Sequence, residues 1–160
     1  MVVPWGSCDV DCRSFRRAAF SQVPNGALAT IQGRLAADPA VLFAILFGSR
    51  ASGAPRADSD WDLAVFLDPS LDAPSPASKR AHLIAGLEPE YRVDLVVLND
   101  ARPLVAHRAL CGERLFVRDQ PAYARFFVNT LALAFDESHW NEIHAKARRR
   151  RLAEEAFGRS

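Results

Sequence analysis

Gly48-Ser49-Arg50-Ala51-Ser52-Gly53-Ala54-Pro55-Arg56-Ala57-Asp58-Ser59-Asp60-Trp61-Asp62-Leu63 is the stretch on which the reading of this chain turns. It joins a glycine–serine turn, of the kind that lets backbone approach a phosphate, to two aspartates one residue apart. Asp60 and Asp62 open an apolar segment, Leu63 to Leu67, with the composition of a strand. Side chains alternate between the two faces of a strand, so both carboxylates point the same way. On that parity Ala64 and Phe66 continue the aspartate face, while Leu63, Val65 and Leu67 share the opposite one. Such a carboxylate pair suits a divalent cation.

Upstream, Val41 to Phe47 is a continuous apolar run, as expected of a central strand covered on both faces. Downstream, Val93 to Leu98 reads as a third strand with Asp94 near its start. Paired beside the second strand, it brings a third carboxylate to the other two. Leu28, Ile31 and Leu35 keep helical spacing until Asp38-Pro39, where proline disfavours continuation. Ser49 is expected to cap a short helical turn closed by Gly53. Ser75-Pro76 is a helix start, with Leu83, Ile84 and Leu87 as its buried stripe. A helix entered near Asp100 is stopped by Gly112, and Leu115-Phe116-Val117 forms an edge strand. Asp119 and Pro121 start a further helix whose Tyr123, Phe127, Leu131 and Phe135 recur every fourth residue, a stripe read as core. A last helix from Ser138 turns Trp140, Ile143 and Ala147 inward. Helices and strands alternate, which predicts an α/β (α+β) domain with a small mixed sheet flanked by helices.

The chain has 160 residues, 49% hydrophobic and 24% charged, with a net charge of +1. That is the range of an ordinary globular domain and leaves no room for a second large substrate domain. The near-neutral charge gives no reason to expect nucleic acid as a direct substrate. The apolar runs are too short to span a bilayer and the N-terminus lacks a signal-peptide pattern, so a cytoplasmic protein is expected. Three cysteines, Cys8, Cys12 and Cys111, do not read as a disulfide framework, and a zinc site on the first two lacks obvious further ligands. Residues 1–24 form a poorly defined leader, 25–136 the main domain and 137–160 a C-terminal helix or tail.

Nucleotidyl transfer moves negative charge between oxygens, and catalysis is mostly positioning and neutralisation by Mg²⁺. Asp60 and Asp62 suit a bridging role between two ions, and Asp94, if its strand lies next to that of Asp60, completes one metal site and helps take the proton from the attacking hydroxyl. Gly48 and Ser49 offer a triphosphate turn, and Arg50 or Arg56 positive charge for its phosphates. A Gly-Ser pair alone is usually only a turn. Its combination with an apolar strand, ten intervening residues, Asp-X-Asp on a second strand and an aspartate opening a third is far more specific.

The segment GSRASGAPRADSDWDLAVFL followed by VDLVVLN resembles the minimal nucleotidyltransferases of the polymerase-beta-like superfamily. Within it the chain looks most like the MntA-type antitoxins paired with HEPN-domain ribonuclease toxins of the HepT type. The run Leu98 to Leu104 and the turn Gly112 to Phe116 also look like that group, so the resemblance covers about residues 27 to 135. It implies AMP transfer from ATP, with Mg²⁺, to a tyrosine of the toxin, which silences its RNase activity, and a complex with that toxin. By motif, Gly48 and Ser49 would hold the triphosphate, Asp60 and Asp62 the metals, and Asp94 the third carboxylate position.

Two other functions compete: a small-molecule (aminoglycoside-type) nucleotidyltransferase, and a non-catalytic antitoxin that covers its toxin. Chain length favours an acceptor docked from outside. Other residues have plainer readings. Arg148 to Arg151 form a solvated helix face beside Glu154 and Glu155. His107 and Arg108 follow the third aspartate on a helix from which they could approach the nucleotide, with a surface or packing role favoured for His107. His139 and His144 miss the spacing of a metal pair on one helix face. Ser59 is placed to bond Asp60, and Asp58 and Asp68 are loop and solvent residues.

Overall fold

The computed structural model describes residues 25–52, 59–70, 75–88 and 90–157. A four-stranded sheet of β1 (Val41–Phe47), β2 (Trp61–Leu67), β3 (Val93–Val97) and β4 (Glu113–Val117) has the order β3-β2-β1-β4. β1 runs antiparallel to both β2 and β4, while β2 and β3 are parallel. Among the described residues five helices accompany it: α1 (Asn25–Ala37), α2 (Gly48–Ala51), α3 (Pro76–Leu87), α4 (Pro103–Leu110) and α5 (Gln120–Phe157). α3 is the crossover that a parallel pair requires.

Strand parity sorts the core as the sequence implies. Leu63, Val65 and Leu67 of β2 and Leu95 and Val97 of β3 pack with Ile31 and Leu35 of α1 and Leu83 and Leu87 of α3. The other face joins Phe43, Ile45 and Ala64 to Ala106, Ala109 and Leu110 of α4, with Phe66, Val96, Tyr123 and Phe126 against them. Phe43 stacks on Phe66 at 5.0 Å and meets Tyr123 edge-on at 5.1 Å, geometries that aromatic pairs favour. β1 is therefore covered on both sides, which accounts for its unbroken apolar run.

Polar side chains fix the ends of these elements. Ser75 Oγ accepts from the Ser78 amide with proline in the first turn of α3, and Asp119 Oδ1 accepts from the Ala122 amide at 2.8 Å to open α5. After β3 a short 3-10 turn spans Leu98–Asp100. The amide of Asn99 pairs with both the N–H and the C=O of Leu67, at 2.8 and 2.9 Å, and so prolongs the β2–β3 contact through a side chain. Arg118 donates to the carbonyls of Ala36, Asp38, Pro39 and Val41, tying the end of β4 to the α1–β1 connection.

Two expectations fail in the C-terminal third. The helix from Asp119 and the one from Ser138 are a single helix, α5, of 38 residues. No glycine or proline interrupts it near Asp136, and Glu137 accepts from Arg102 at 3.0 Å and from the Leu104 amide. Nor is its apolar stripe core throughout: Phe135 is 66% exposed, Trp140 61% and Ile143 42%. A helix of that length is about 57 Å long, whereas a seven-residue strand spans about 23 Å. The helix therefore outruns the layer it packs on. Arg148 to Arg151 are exposed on it. No helix among the described residues is long and apolar enough to cross a membrane. Cys8, Cys12, Gly53, Arg56 and Asp58 lie outside the described residues.

Candidate functional site

The site begins where β1 ends. Gly48 adopts φ +72, the only positive φ among the described residues, and turns the chain into the four-residue α2. In the β1–β2 register Phe47 lies opposite Asp62. The turn is pressed so closely on that aspartate that a Cβ at Gly48 would meet Asp62 Oδ2 at 2.0 Å. The Ser49 amide donates to the Asp62 carboxylate. Ser49 is thus not the cap of α2 that its position suggested. It lies inside the helix, the preceding Phe47 has no side chain able to cap, and a carboxylate from the next strand takes over that task.

The third carboxylate arrives by register. Asp62 and Asp94 are direct partners across the parallel pair β2–β3. Asp60 precedes β2 by one residue. Asp60 and Asp94 are held at the surface by arginines: Arg92 Nε lies 3.1 Å from Asp60 Oδ1 and Arg80 Nη2 3.4 Å from Asp94 Oδ1. Burial raises the Asp62 carboxyl above the usual range. The charge of Asp94 adds to this, Arg108 opposes it, Asp60 raises it further, and the Ser49 amide lowers it.

No group of three His, Cys, Asp or Glu side chains among the described residues is gathered closely enough to hold a metal ion. The donors nevertheless fit a hard cation in kind. All are carboxylate oxygens, which Mg²⁺ prefers, and Asp62 carries the mutual repulsion that a cation would relieve. The ion pairs that draw Asp60 and Asp94 away are exposed, a class worth only about 0–1 kcal/mol.

Arg50 is directed at protein atoms. Its Nε donates to the carbonyls of Ser59 at 2.9 Å and Asp60 at 3.2 Å, Nη2 also donates to Ser59, and the guanidinium lies 4.4 Å from the centroid of the Trp61 ring. Its contacts are those of a clamp on the entry to β2, not of a residue reaching for phosphate as expected from its place in the motif.

Beside the turn opens a cavity of about 750 Å³ between α2, α4 and α5, within the range of ligand sites. Gly48 and Ser49 form one wall, His107 and Arg108 another, and Leu131, Ala134 and Phe135 of α5 an apolar third. His107, assigned to packing or surface, therefore faces this space. The contribution of α5 was missed, because a four-residue recurrence identifies a helix face without identifying its neighbour. A second cavity of about 470 Å³ lies between α1 and α3, lined by Asp38, Lys79 and His82, away from the carboxylates.

The profile of the family described as "Polymerase beta, Nucleotidyltransferase" matches residues 29–121. No curated protein matches the chain. Among solved structures, a toxin–antitoxin with AMP-PNP shares 21% identity at a TM-score of 0.50, over 84% of this chain and 98% of that one. A mutant MntA–HepT toxin–antitoxin complex shares 23% identity at 0.52, over 81% and 97%. A structure from Shewanella oneidensis shares 18% identity at 0.51, over 84% and 98%.

Proposed function

Because this chain belongs to the polymerase beta nucleotidyltransferase family, we propose that it is an antitoxin acting as a protein adenylyltransferase, moving AMP from ATP to a tyrosine of a HEPN-type RNase toxin. One observation carries the reading: Asp62 and Asp94 are register partners beside a glycine turn built against Asp62. The shared fold with chains of toxin–antitoxin complexes, one of them with AMP-PNP, supports it.

In this reading Asp60, Asp62 and Asp94 would hold Mg²⁺, which would supply neutralisation of charge on the triphosphate. The Gly48 turn lets the nucleotide approach, and the Ser49 hydroxyl faces its phosphates. The apolar wall of Leu131 and Phe135 takes the base. Asp94 accepts the proton of the acceptor hydroxyl, whose oxygen bonds to the α-phosphorus as pyrophosphate leaves. The partners are ATP and a docked toxin, and the setting is the cytoplasm.

The test co-expresses the chain with a candidate toxin and follows ATP-dependent protection, complex formation and toxin mass. Asp60→Ala with Asp62→Ala is expected to abolish protection and the added AMP while the complex persists. Full protection by the double variant would mean neutralisation by binding alone. Adenylylation of an aminoglycoside from a panel, with none of the toxin, would make the acceptor a small molecule.

A further inference from the structure

In the nucleotide-transfer reading the cavity that Gly48 and Ser49 line receives a polyanion close to Asp62, and a cationic side chain is needed there beside the metal ions. The arginine that the motif supplies is occupied, since Arg50 is bound to the Ser59 and Asp60 carbonyls and stacked on Trp61. Arg80 and Arg92 are paired with Asp94 and Asp60. Among the described residues lining the cavity, Arg108 is the one arginine. It is exposed, and no hydrogen bond or ion pair to a described residue fixes its guanidinium.

We propose that Arg108 of α4 is the residue that receives the nucleotide's triphosphate, across the cavity from Ser49. Its planar fork matches phosphate oxygens. It lies near enough to Asp62 for its charge to be felt there, so phosphates between the two would contact Arg108 and the metal site together. Without such a task, Arg108 would only complement the dipole at the C-terminal end of α4. That role would affect stability and leave nucleotide discrimination unchanged.

The inference rests on the nucleotide-transfer reading, and calorimetric titration separates the two. Full-length protein with Mg²⁺ is titrated with ATP and with AMP, alongside Arg108→Gln and Arg108→Lys, with thermal melts to establish folding. Wild type is expected to bind ATP more tightly than AMP. Arg108→Gln should weaken ATP by about tenfold or more, as befits loss of charge-assisted hydrogen bonds, and AMP by no more than about twofold, with the lysine variant in between. If wild type binds ATP and Arg108→Gln binds it equally well, or weakens AMP by the same factor, Arg108 is not the triphosphate residue and the functional reading stands. If wild type binds no nucleotide at all, the functional reading itself falls.

Discussion

Gly48 and Asp62 are in van der Waals contact across the first turn of the site, so close that even a methyl group at position 48 would lie 2.0 Å from Asp62 Oδ2. The backbone there also needs φ +72, a conformation that costs an L-residue with a side chain about 1–2 kcal/mol. Gly48→Ala is therefore expected to lower stability by at least that amount and to displace the Asp62 carboxylate. Transfer should fall more than tenfold, since displacements near 1 Å already cost about a hundredfold. A thermal melt and an AMP-transfer assay check it. Wild-type values in both would mean that the two residues can separate at no cost.

Asp62 is held at a cost, and the sign of that cost is measurable. Burial, followed by the charge of Asp94, raises its carboxyl above the usual value of 3.8 despite Arg108 and the Ser49 amide. A group with a raised pKa in the folded state favours folding when protonated. That contribution is present below pH 3.8 and is lost as pH rises through the folded pKa. Asp62→Asn should thus stabilise the protein at pH 7, by about 0.5–2 kcal/mol as for other relieved functional sites, and give no advantage near pH 3. Transfer should be lost. Melting curves of both proteins between pH 3 and 7 decide the matter, and a variant less stable at neutral pH would contradict the account.

The carboxylate site was legible because strand geometry has a strict period. Parity puts Asp62 with Ala64 and Phe66, and Asp94 with Val96, and the sheet uses those faces for the second core cluster. Pairing of Asp62 with Asp94 then needs only that β2 and β3 be neighbours. The destination of Arg50 was not legible. A long side chain can reach several partners, and the position of Trp61 and the Ser59 carbonyl relative to it is set by how the chain re-enters the sheet. The cavity was invisible for a related reason: α2 reaches it from a segment about 50 residues before α4 and α5. The end of α5 misled because helical periodicity reports amphipathic pattern, while burial depends on how far the sheet extends.

Arg50 offers a way to separate clamping from phosphate binding. It secures Asp60 through the backbone at Ser59 and Asp60 and through the Trp61 ring. Arg50→Ala should lower stability by about 1–3 kcal/mol, the cost of unpaired polar groups. It should also slow transfer through a lower kcat, since Asp60 loses its seat, with the Kd for ATP changed by less than about threefold. Single-turnover kinetics together with titration give both numbers. A large loss of ATP affinity with unchanged stability would return Arg50 to the phosphates.

A final prediction concerns the face opposite the site. Asp38 and Lys79 pair at 2.6 Å with side chains only 14% and 15% exposed, joining the end of α1 to α3. Burial by itself pushes the Asp38 carboxyl up, but the Lys79 hydrogen bond, the Ala40 amide and the positive charges of Lys79 and His82 outweigh it, and the net pKa lies below 3.8. A lowered carboxylate stabilises the fold above its unfolded pKa, and that contribution is lost as pH falls through the folded value. Lys79→Met leaves Asp38 without its cation and should cost about 1–3 kcal/mol at pH 7. The difference from wild type should shrink towards pH 3 as Asp38 becomes protonated. Transfer per folded molecule should be unaffected, because the pair is remote from the Gly48 turn. Urea unfolding at both pH values tests the first two points and an AMP-transfer assay the third. A deficit of equal size at pH 3 would show that Lys79 acts through packing of its aliphatic stem and not through its charge.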